Sequence, residues 1–129
     1  MKDTRQVNLK ITSIHFPITA IISIMHRLSG IALFVLLPIG LAVFCKMMSS
    51  QQNFDWWIAT FKRPIFSVLL WVLLLPLIYH FIAGFRHLLM DIGIGETLCG
   101  SRLGSKLILV ISILLAIILG VVLLWPATL

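Results

Sequence analysis

Two short stretches of an otherwise apolar chain carry residues that can do chemistry. In SIMHRLSG, Ser23, His26, Arg27 and Gly30 recur at i, i+3, i+4 and i+7, which gathers them on one face of a helix. An unpaired guanidinium in hydrocarbon is costly, so an arginine flanked on both sides by apolar sequence marks a functional position by default. The plain alternative is a charged helix end whose Arg27 snorkels to the headgroups. In YHFIAGFRHLLMD, His80, Gly84 and His87 stand at i, i+4 and i+7 and again share a face. His80 is expected about 10 Å deeper than His87. A neutral imidazole at that depth needs partners for its ring nitrogens. It is either bonded to a neighbouring helix or an axial ligand of a haem iron, with Gly84 letting a flat porphyrin approach the backbone. His26 and His87 are expected near the membrane surface, well above His80, and His15 outside the helices. On that reading no second histidine lies at the depth of His80, and a six-coordinate haem takes its other ligand from a partner chain. The basic residues at the same end are candidates for the haem propionates.

The elements that must position these residues follow from composition. Of 129 residues, 60% are apolar and 11% charged, and the mean hydropathy is +1.13. A soluble domain of this size cannot hide so much apolar surface, so the class is integral membrane. Three apolar runs, 18–44, 65–85 and 107–125, are each long enough to cross a hydrocarbon core of about 30 Å. None alternates as a membrane strand would. The expected fold is all-α, a single membrane-anchor domain over 1–129 with helices at about 17–48, 64–90 and 104–125. Pro17 suits a helix start. From Pro17 to Cys45 the first helix would run about 43 Å, so it must tilt or project beyond the core. The loop 49–63 carries Trp56 and Trp57, which with Trp125 suit an outer aromatic belt. The loop DIGIGETLCGSRLG is glycine-rich and polar, and residues 1–16 are expected to be irregular or interfacial.

The net charge of +6 suits nucleic acid less well than topology. Lys2, Arg5, Lys10 and Arg27 lie on the N-terminal side, Lys46, Lys62 and Arg63 flank the first loop, and Arg86, Arg102 and Lys106 flank the second. A cytoplasmic N-terminus puts seven basic residues inside and three outside, as the positive-inside rule favours. The C-terminus is then periplasmic. With no cleavable signal pattern and no long transit segment, the expected location is a bacterial inner membrane. Cys45 and Cys99 fall at opposite faces and are too few for a zinc site or cluster.

The segments S-x-x-H-R-x-S at Ser23–Ser29 and H-x-x-x-G-F-R-H-L-x-M-D at His80–Asp91 resemble both signatures of the cytochrome b subunits of succinate dehydrogenase, membrane anchors of complex II. The likeness covers nearly the whole chain. It departs at Arg5-Gln6, where the family has Arg-Pro, and at Phe85, where it has a smaller aliphatic residue. The resemblance implies that His80 is an axial ligand of haem b and that a second, dissimilar anchor subunit supplies the other. It implies that Ser23 and Arg27 line a ubiquinone pocket, and that His26, Arg27 and His87 lie by the haem edge or its propionates. The implied partners are that second anchor, an iron–sulfur subunit, a flavoprotein that oxidises succinate, and the bilayer. This chain then has no catalytic residue of its own. Three other readings compete: a fumarate reductase anchor running the same chemistry backwards, a small transporter or channel subunit using Arg27, His80 and Asp91 as a polar pathway, and a purely structural assembly subunit.

Overall fold

The computed structural model describes residues 16–125. The N-terminal arm, with Lys2, Arg5, Lys10 and His15, and the tail after Trp125 lie outside the described residues. Four helices follow in order: α1 (Ile18–Met47), α2 (Gln51–Phe61), α3 (Pro64–Asp91) and α4 (Leu98–Leu124). Strands are absent among the described residues. Helices α1, α3 and α4 are each long and apolar enough to cross a membrane. The fold is therefore an all-α membrane bundle with three spans. Pro38 and Pro76 sit inside α1 and α3, as membrane helices tolerate.

Two local structures depart from the sequence expectation. The first connection is not a loop but the short helix α2, capped by Ser50, whose hydroxyl accepts from the Asn53 amide at 3.2 Å. Trp56 and Trp57 ride on it and pack edge to face, with ring centroids 4.9 Å apart. The last helix begins at Leu98, ahead of the Gly104 expected, because Thr97 caps it by accepting from the Gly100 amide at 3.1 Å. The tight turn before it uses Gly93 and Gly95, both at positive φ, a conformation glycine adopts without a Cβ clash.

Helix α3 packs against both α1 and α4, and α1 also touches α4. The buried apolar core is the cluster Ile22, Tyr79, Ala83 and Ile108, toward the end of the bundle that holds the start of α1 and the end of α3. Small polar residues make the other close contacts. Ser29, Ser67, Ser105 and Ser112 are buried, since small side chains let helix backbones approach where lipid offers no hydrophobic drive. Two of the hydrogen bonds between helices come from aromatic side chains. The Tyr79 hydroxyl donates to the Ile22 carbonyl at 3.0 Å, and Trp71 Nε1 donates to the Ala116 carbonyl at 2.8 Å over Gly120.

Candidate functional site

The faces named from sequence meet in the packed end of the bundle. His26 of α1 stacks on His80 of α3, with centroids 4.2 Å apart and an interplanar angle of 17°. It also lies 5.0 Å from His87, tilted by 40°. The expectation that no second histidine shares the depth of His80 is corrected here. Depth counted along each helix separately ignores how antiparallel helices are offset, and α1 enters far enough to bring His26 level with His80.

The two imidazoles are accommodated reciprocally by glycine. A Cβ on Gly30 of α1 would come within 3.1 Å of His80 Cε1, and one on Gly84 of α3 would lie 3.4 Å from His26 Nε2. Gly84 thus admits the His26 ring against α3, where the sequence suggested space for a porphyrin.

Hydrogen bonds fix the state of His80. Its Nδ1 lies 3.2 Å from the His26 carbonyl and 3.1 Å from Ser29 Oγ. Ser29 Oγ itself donates to the His26 carbonyl at 2.8 Å. A carbonyl only accepts, and Ser29 Oγ is placed to donate to it, so a neutral His80 ring is best satisfied with its proton on Nδ1. The lone pair is then on Nε2, which has no hydrogen-bond partner among the described residues. This is the arrangement of metal-ligating histidines, where one nitrogen donates to a carbonyl and the other faces the metal. The donor set therefore fits a haem iron. The stack also bears on ligand count. His26 and His80 lie side by side with nearly parallel rings, and His26 Nε2 is buried without a partner, so the two would not both hold one metal ion between them.

Ser23 is half-buried and Arg27 exposed, and neither side chain has a hydrogen-bond partner among the described residues. Both stay available to a ligand or a second chain. Arg86 is committed elsewhere: its Nη2 donates to the carbonyl and hydroxyl of Ser101 at 3.0 and 2.9 Å, and its stem lies over Gly104. It braces α3 against α4, which removes it from the basic residues considered for haem propionates. Sequence reasoning missed this brace and the role of Ser29, although Ser29 closes the S-x-x-H-R-x-S pattern one turn after His26. Among the described residues no three or more His, Cys, Asp or Glu side chains are arranged to hold a metal ion between them.

Comparison with known proteins shows the family. Residues 1–119 match the family described as succinate dehydrogenase/fumarate reductase transmembrane subunit. The chain is 33% identical over 130 residues to the succinate dehydrogenase cytochrome b556 subunit of Coxiella burnetii, covering 94% of this chain and 98% of that one. It is 31% identical over 104 residues to the proteins of that name from Rickettsia typhi and Rickettsia prowazekii, covering 81% of each chain. With a family match over most of its length and a relative alignable end to end, the chain belongs to the succinate dehydrogenase/fumarate reductase transmembrane subunit family.

Proposed function

We propose that this chain is the cytochrome b anchor of a succinate:quinone oxidoreductase in a bacterial inner membrane, contributing half a haem site and part of a quinone site. The observation that carries the reading is the pair of acceptors facing His80 Nδ1, which favours the tautomer whose Nε2 lone pair would be free for a metal. The names of the relatives, cytochrome b556 subunits, support it. Haem b held there would supply a one-electron store beside the quinone. The second axial histidine comes from a dissimilar anchor subunit, because the stacked His26 is badly directed for that role. Arg27, with His26 and His87, suits the propionate edge, where a guanidinium can fork onto a carboxylate. Ser23 donates a hydrogen bond to a ubiquinone carbonyl, and Arg27 stabilises the negative charge that develops there on reduction. A cytoplasmic N-terminus places this end toward the iron–sulfur and flavoprotein subunits, which do the succinate chemistry.

The test is purification of the tagged chain from its own membranes in mild detergent, with a spectrum and identification of the chains that come with it. The expected result is a Soret band and a b-type α-band, together with a second anchor, an iron–sulfur protein and a flavoprotein. A preparation without a Soret band or dehydrogenase chains would favour the transporter reading.

A further inference from the structure

We propose that Ser29 and Gly30 are positioning residues that fix the tautomer and the plane of the His80 imidazole, so that α1 tunes a ligand carried by α3. The inference rests on His80 being the axial ligand and goes beyond it, since neither residue would touch iron or quinone.

Ser29 is buried, 8% exposed, at the α1–α3 contact. Its hydroxyl is oriented by donation to the His26 carbonyl, so toward His80 it offers a lone pair. Two acceptors, that hydroxyl and the His26 carbonyl, therefore converge on one N–H. Gly30 adds a steric element. Its missing Cβ would meet Cε1 at 3.1 Å and Nδ1 at 3.6 Å, so a side chain there would push the ring away from both acceptors. The stacked His26 closes one face of the ring. Rotation about the Cβ–ring bond is thus limited by hydrogen bonds at one edge, by backbone at the same edge, and by an aromatic face.

An acceptor on the distal N–H raises the electron-donating power of an imidazole ligand. That favours ferric over ferrous iron and lowers the midpoint potential. Removing the serine acceptor should raise it.

The experiment uses the assembled complex with Ser29→Ala, Ser29→Thr and Gly30→Ala, reading haem midpoint potential and low-spin electron paramagnetic resonance g values. Ser29→Ala is expected to keep its haem, shift the potential upward and move the g values. Ser29→Thr, which keeps the hydroxyl, returns both toward wild type. Gly30→Ala moves the g values by turning the ring. Unchanged potential and g values in Ser29→Ala and Gly30→Ala, with a normal low-spin haem in wild type, would overturn this inference and leave the axial assignment standing. Equal haem loss in the alanine and threonine variants would also overturn it, since that marks plain packing. A wild-type complex with no low-spin b-type haem would instead defeat the axial assignment, and this inference with it.

Discussion

Arg27 is the exposed cation of a face whose neighbours Ser23 and His26 are half-buried, and its chemistry separates two assays. Replacement by leucine should lower quinone reduction while succinate oxidation with a soluble artificial acceptor continues, because the proposed function assigns that chemistry to other chains. A charge-assisted hydrogen bond is worth about 1.5–3 kcal/mol, so the expected loss is roughly ten- to a hundredfold. Ser23→Ala removes a neutral bond of about 0.5–1.5 kcal/mol and should cost about tenfold or less. Arg27→Lys should recover only part of the rate, since an ammonium lacks the planar fork. Steady-state rates with both acceptors, measured beside the haem spectrum, check all three. Wild-type quinone reduction and inhibitor affinity in Arg27→Leu would make this arginine a snorkelling helix end.

At the scale of elements, the contact of α3 with α4 turns on one indole. Trp71 Nε1 reaches the Ala116 carbonyl across Gly120, where an added Cβ would lie 3.0 Å from Nε1 and 3.2 Å from Cε2. Gly120→Val should force the indole off its acceptor and cost about 1–3 kcal/mol, as overpacking does. Trp71→Phe should cost less for its hydrogen bond, about 0.6 kcal/mol on average and at most about 1.7 for an interhelical bond in a membrane. Unfolding of the purified protein in increasing sodium dodecyl sulfate measures both. Such contacts also mark how far sequence reasoning reached. The three spans were legible because each is an unbroken apolar run. Helix α2 was not, because eleven residues with mixed polarity resemble a loop unless Ser50 is recognised as a cap. The first turns of α4 were hidden by Gly100 and Gly104, which suggest flexibility in isolation. In the bundle Gly104 instead makes room for Arg86. The two histidine faces were legible from spacing alone. That they stack was not, because spacing along one helix says nothing about its offset against another.

The whole molecule is built to be covered. Large apolar side chains such as Phe34 at 82% and Phe81 at 74% are exposed along the spans. A groove of about 430 Å³ between α1 and α3, lined by residues such as Leu37, Gly40, Leu73 and Leu77 and closed by Trp57 and Phe61 of α2, adds to that surface. In a membrane, lipid covers such a surface, and the proposed second anchor would cover part of it. The chain expressed alone should therefore bind little haem stably, and coexpression with its partner anchor should restore it. A stoichiometric low-spin haem in the isolated chain would show that one subunit can complete the site. The basic residues give the orientation a test of its own. A reporter fused after Trp125 should be active as periplasmic alkaline phosphatase and silent as a cytoplasmic reporter. The reverse pattern would move the Ser23 and Arg27 face away from the dehydrogenase subunits.

The most direct measurement is the reduced-minus-oxidised spectrum and haem content of the assembled complex carrying His80→Leu. An alkyl group cannot replace an axial ligand, so the b-type α-band should vanish or change grossly while the partner chains still copurify. An unaltered reduced b-type spectrum at wild-type stoichiometry in that assembled variant would contradict the account.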